Sequence, residues 1–130
     1  MSPDRSFESS APGSPVRAIA DDQLHALSLL AHGHWLQRSI ERANVLYAAL
    51  DVLRPHDGAT LIGLAASEFA CGRPERALAA LDRRALHCAP DRAYHLLRSR
   101  VLRALARMEE SRRSMQDYLR LTACGHAEEA

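Results

Sequence analysis

His32 and His34, separated by one residue, look like a metal-binding pair. Zinc accepts imidazole ligands but needs three or four donors converging on one point. Two residues so spaced on a helix point to different faces. The seven histidines are spread along the 130 residues with no third ligand at a sensible spacing, so they read as surface or groove histidines and no metal is expected. His87 and Cys88 place a base beside a thiol, but neighbours in sequence do not make a catalytic geometry. Nucleophile elbows, phosphate loops and the His-Glu-x-x-His signature are all absent. No catalytic residue and no cofactor is expected, and the chain reads as a non-enzyme.

The densest charge is the series Arg98, Arg100, Arg103 and Arg107, followed by Arg112 and Arg113. Three readings stand. It is a solvated helix face, partly neutralised by Glu109, Glu110 and Asp117. Or it meets an acidic partner. Or it binds RNA, which is disfavoured because no aromatic residues interleave to stack bases. All 17 basic residues are Arg. That reads first as composition bias and second as a demand for forked hydrogen bonds. A net charge of +1 also argues against a dedicated nucleic-acid protein. Cys71, Cys88 and Cys124 are widely spaced, as expected for free thiols in a reducing compartment. No secretory leader and no apolar run long enough to cross a bilayer is evident. A cytoplasmic protein without direct membrane insertion is expected.

The elements that carry these residues repeat. "IERANVLYAALDVLRP" starts at Ile40, "PERALAALDRRALHCAP" at Pro74 and "MEESRRSMQDYLRLTA" at Met108, a period of 34 residues. Apolar residues at three-and-four spacing mark helices, beginning with Leu24, Leu27, Leu30 and Ala31. Asp21 or Asp22 is placed to cap the first. The second must stop before Pro55. Gly72 suits a left-handed helix end and Pro74 the first turn of the next helix. A fifth helix is expected over about 92–106 and a sixth over about 108–121. Residues 1–20, rich in Ser and Pro, read as a flexible tail, and 123–130 as a frayed end.

Three helix pairs at period 34 predict an all-α fold, a short solenoid over residues 21–122. The register is set by Ala43, Ala77 and Ser111, small residues where the two helices of a pair cross. One turn on, Tyr47, Leu81 and Met115 fill space between pairs. Leu30-Ala31 and Leu64-Ala65 form a large-small dipeptide in the first helices, replaced in the third pair by Arg98-Ser99. These residues resemble the tetratricopeptide repeat family over about residues 24–122. Glu41, Glu75 and Glu109 favour the positive ends of the second helices and need no catalytic role.

In such a solenoid the first helices line a concave face. The register assigns it His25, Ser28, His32 and Trp35 from the first pair, Ile62, Ala66 and Phe69 from the second, and Leu96, Arg100 and Arg103 from the third. Trp35 and Phe69 are large enough to anchor a partner, although Trp35 serves equally well as a core residue. An apolar groove with an arginine edge implies capture of a peptide or helix. Exposed apolar edges make self-association without a partner an expectation.

Four stretches, "GHWLQ" (33–37), "ERANVL" (41–46) with "LRP" (53–55), "CGRPERA" (71–77) and "YLRL" (118–121), resemble the YscY family of type III secretion chaperones. The resemblance implies a cytoplasmic, non-enzymatic chaperone that clamps a small secreted protein of the YscX type. It also implies docking of the pair on the export-gate membrane protein. Arg98-Ser99 departs from the pattern and puts the third repeat's share of the groove in question. A translocator chaperone, a needle-subunit co-chaperone and a general tetratricopeptide scaffold remain as alternatives.

Overall fold

The computed structural model describes the backbone of residues 15–129 and the side chains of residues 21–125. Residues 1–14 of the expected tail lie outside the described residues. Among the described residues there are six helices and no strand: α1 Pro15–Leu36, α2 Ile40–Leu53, α3 Gly58–Ala70, α4 Pro74–His87, α5 Arg92–Ala104 and α6 Met108–Glu129. Helices α2, α4 and α6 begin at residues 40, 74 and 108, and α3 and α5 at 58 and 92. The 34-residue period thus holds in both halves of the repeat. Each pair packs on itself, each second helix packs on the next first helix, and successive first helices touch. This is the stacked helix-turn-helix arrangement of a tetratricopeptide solenoid.

The turn inside each pair is built the same way three times. Arg38, Gly72 and Ala106 take positive φ, at 63°, 82° and 61°. The N–H of each donates to the carbonyl three residues back, and the next N–H, of Ser39, Arg73 or Arg107, donates to the carbonyl five back. That double bond closes a helix through a left-handed residue. Gly72 was foreseen there; Arg38 and Ala106 were not, since neither is a residue that favours φ > 0. Between pairs, Asp57 and Asp91 cap α3 and α5, accepting from the N–H of Thr60 at 3.1 Å and of Tyr94 at 2.9 Å.

The outer helices run further than the sequence pattern suggests. α1 begins at Pro15, inside the stretch read as tail, so Asp21 and Asp22 lie within the helix rather than at its cap. Proline is well suited to a first helical position, where its missing N–H has no helical partner to lose. α6 continues to Glu129, past the expected break at 123. That stretch holds one glycine and no proline, and a lone glycine weakens a helix without ending it.

The core follows the register. Ala31, Ala65, Ala43, Ala77 and Leu81 are fully buried, and Tyr47 and Leu64 nearly so. In the third pair the crossing is made by serines: Ser111 Oγ donates to the Ser99 carbonyl at 2.8 Å, and the two hydroxyls lie 3.3 Å apart. Small size is kept and each buried hydroxyl has a partner, so the polar substitution is tolerated. Two expected packing residues depart from the pattern, and both sit at the ends of the stack. Leu30 is 50 % exposed whereas its counterpart Leu64 is 9 % exposed. α2 covers Leu64, and among the described residues no helix precedes α1 to cover Leu30. Met115 is only half-buried, and among the described residues no helix packs over it beyond the third pair.

Candidate functional site

The first helices α1, α3 and α5 lie side by side, and their shared face holds an open cavity of about 540 Å³. Ser28, Leu29, His32 and Trp35 line it from α1, Ala59, Ile62, Gly63 and Ala66 from α3, and Ala93 from α5. Tyr47 of α2 reaches into its floor, and Arg84 with Asp91 closes one end. Five of the ten residues assigned to the groove from sequence therefore come together: Ser28, His32, Trp35, Ile62 and Ala66. His25 is exposed on α1 outside the lining, and Phe69 is half-buried against the core. Leu96 is half-buried, and Arg100 and Arg103 are exposed, further along α5. Trp35 serves both roles considered for it, packing partly on the core while lining the cavity.

The lining residues missed from the sequence have physical explanations. Ala59 and Ala93 occupy the same register position as His25, one and two periods later, so the stripe itself could have found them. Gly63 is needed because a Cβ there would run into the Tyr47 ring. The tyrosine ring takes up the space that a side chain at 63 would fill. Burial pushes the Tyr47 phenol above its ordinary pKa, so it stays neutral.

Two polar clusters tie the helices together, one at the end of the groove and one away from it. Arg84, 7 % exposed, donates to the Gly58 carbonyl at 3.2 Å and to Asp91 Oδ2 at 3.1 Å. Its guanidinium also lies 5.7 Å from the centre of the Tyr94 ring. It thereby ties the start of α3 to the cap of α5, the two helices that flank the cavity's end. On the other side, Glu68 accepts from Arg73 Nε at 2.6 Å and from Asn44 at 3.0 Å. Arg73 also donates to Asn44 Oδ1 at 3.0 Å, and Asn44 Nδ2 to Ser67 Oγ at 3.0 Å. Burial by itself would raise the Glu68 pKa. The hydrogen bonds from Arg73 and Asn44 and the arginine charge outweigh it and hold the carboxyl below its ordinary value. Arg83 grips Asp51 with two bonds of 2.8 Å, linking α4 to α2. These forked pairs use what arginine offers and lysine does not.

A second depression, about 450 Å³, lies on the outer face of the first pair, lined by Leu30, His34, Val45 and Leu46 and rimmed by Glu41 and Arg42. Thirty-four residues on, Leu64, Glu68 and Ala80 share a shallow cleft with Ala48, Asp51 and Val52 of α2. The depression is thus the surface that an earlier second helix would cover.

His32 is exposed and His34 half-buried on different sides of α1. Among the described residues no group of three or more metal-ligating side chains gathers. Among the described residues no helix is long and apolar enough to cross a membrane. Cys71, Cys88 and Cys124 are all free thiols.

No family model matches the sequence, and no curated protein matches it. Solved structures do. One is a crystal structure of SycD, the type III secretion translocator chaperone of Yersinia enterocolitica, in an alternative dimer. It superposes with a TM-score of 0.72 at 22 % identity, covering 78 % of this chain and 77 % of that one. Another structure of SycD gives a TM-score of 0.71 at 19 % identity, covering 86 % and 94 % of the two chains. At that identity the likeness is one of fold.

Proposed function

We propose that this chain is a non-enzymatic, cytoplasmic chaperone of bacterial type III secretion that holds a segment of a secreted protein in its concave groove. The observation that carries the reading is the open, mostly apolar cavity spanning α1, α3 and α5, closed at one end by the Arg84–Asp91 ion pair, in a fold shared with SycD. A pre-formed apolar groove lowers the ordering cost of capturing a flexible segment. The bare face at Leu30 and Val45 is the origin of self-association when the partner is absent.

Within this reading the four stretches similar to YscY point to a small YscX-type partner and docking at the export gate of the inner membrane. The fold likeness to SycD favours a second version, a chaperone of translocator proteins. Capture of the tagged protein from its native host, with mass spectrometry of the bound proteins, separates them. A small secreted protein with the export-gate membrane protein supports the first, and two large translocators the second. Recovery of neither removes the secretion role and leaves a tetratricopeptide scaffold.

A further inference from the structure

The two ends of the solenoid match each other. The depression at the first end is lined by Leu30, His34, Arg42, Val45 and Leu46. Thirty-four residues on, Leu64, Glu68, Arg76, Ala79 and Ala80 line the cleft that α2 closes with Ala48, Asp51 and Val52. The correspondence holds at all five positions, so the depression has the form of a seat for the outward side of a second helix. Leu30 is 50 % exposed there and Val45 66 %. Such a helix stands at the other end of the same chain. α6 is the second helix of the last pair, and among the described residues no helix packs beyond it. Its Gln116, Leu119 and Arg120 hold the register of Ala48, Asp51 and Val52, and all three are exposed. Inside the stack Asp51 is gripped by Arg83. The equivalents of that pair at the two ends are Leu119 and Ala49, both apolar and both exposed. A charge kept at one end alone would lose water on docking and find no partner; both ends lack it together. Each rim also carries one charge of either sign, Glu41 with Arg42 on one side and Asp117 with Arg120 on the other.

Helix length gives a second, independent match. α3 and α5 begin at residues 58 and 92, which correspond to residue 24 in the first pair, yet α1 begins at 15. α2 and α4 end at 53 and 87, which correspond to 121 in the last pair, yet α6 ends at 129. The two outermost helices thus overrun the repeat by nine and eight residues, and the inner four do not. Turns of three or four residues make successive helices antiparallel. The starts of first helices and the ends of second helices therefore lie on one side of the stack. Both overruns project from that side, by about 12–14 Å at 1.5 Å per residue. When α6 of one copy is set against α1 of another as α2 is set against α3, the overruns run antiparallel beside each other over nearly equal lengths.

We propose that α6 of a second copy fills the depression, so that chains join head to tail and the solenoid continues through the junction. The contact is heterologous: each added chain leaves one free depression and one free α6, so assembly grows past the dimer. The inference deepens the self-association placed at the bare face by naming the surface that meets it. It stands apart from groove capture, because neither Val45 nor Leu119 lines the groove.

Sedimentation equilibrium of the full chain tests it with two single variants, Val45→Glu and Leu119→Glu. Both replace side chains more than half exposed, and circular dichroism checks that helicity is native. The average mass of the unsubstituted protein should rise with concentration past that of a dimer by about 100 μM, where a micromolar contact is filled. Each variant alone should remain a monomer at that concentration. An equimolar mixture should form a one-to-one dimer and stop there. The Leu119→Glu chain keeps a working depression and the Val45→Glu chain a working α6, so one native junction forms and both outer ends are blocked. Self-association that persists in either variant alone, as when two like ends meet, overturns the head-to-tail contact. So does a mixture that stays monomeric. An unsubstituted protein that stays monomeric, as it would if residues 1–14 of its own chain filled the depression, overturns it too. All three results leave groove capture standing.

Discussion

Replacing Ala106 with glycine should stabilise the chain, opposite to the usual effect of glycine near a helix. Ala106 sits at φ 61°, in the left-handed region, where the α5–α6 turn closes. A left-handed L-residue costs about 1–2 kcal/mol. Glycine removes that cost but loosens the unfolded chain by about 0.5–1 kcal/mol. The net gain expected is about 0.5–1 kcal/mol, and the same holds for Arg38→Gly at φ 63°. The two sites lie two pairs apart, about 16–20 Å by interhelical spacing, so their effects should add to about 1–2 kcal/mol. Gly72→Ala is the mirror test. Nothing lies within 4 Å of a Cβ built there, so any loss is backbone strain alone. It should destabilise by about 0.5–1.5 kcal/mol. Urea unfolding followed by circular dichroism at 222 nm reads all three, with midpoints moving at a constant slope. A loss of about 1 kcal/mol in Ala106→Gly, the ordinary helix-interior effect, would refute a left-handed turn at 106.

Other outcomes follow from the same geometry. The Glu68 carboxyl is held below its ordinary value, so it contributes stability above the unfolded-state glutamate pKa that is lost as pH falls through its folded value. Glu68→Gln should flatten the acid limb of a stability–pH curve between pH 2 and 6, and an unchanged limb would contradict that contribution. Gly63→Ala pushes a methyl into the Tyr47 ring and should cost about 1–3 kcal/mol in denaturant unfolding, with partial recovery when Tyr47→Leu is added. Leu96→Asp, outside the core cluster, should abolish partner binding while circular dichroism stays native. Phe69→Asp should lose binding and stability together, because Phe69 packs on the core. Leu30→Ser with Val45→Ser should shift the partner-free protein toward monomer on size-exclusion chromatography, since both are at least half exposed on the bare face.

The helix pairs were legible because they rest on residue size at fixed spacing: Ala43, Ala77 and Ser111 at the crossings, Tyr47 and Leu81 between pairs. The charged residues in the core were not. Glu68 and Arg84 fall at core positions, 34 residues after His34 and Leu50. Hydrophobic patterning treats such residues as surface, yet both are 7 % exposed. What makes them tolerable is partners that only the fold supplies: Asn44 and Arg73 for Glu68, the Gly58 carbonyl and Asp91 for Arg84. Leu30 failed for a different reason. A repeat pattern describes a unit with neighbours, and among the described residues no helix precedes the first unit. The groove was half legible: its stripe follows from helical spacing, but its Tyr47 floor and Arg84 end come from second helices.

A photo-crosslinking side chain placed at Ala66, on the groove floor, in the native host tests the central claim most directly. Val52, 80 % exposed on α2 outside the groove lining, provides the control position. The account predicts a covalent adduct with a type III secreted protein from position 66 and none from 52. Adducts to that protein from position 52 with none from 66 would place binding elsewhere and contradict the groove.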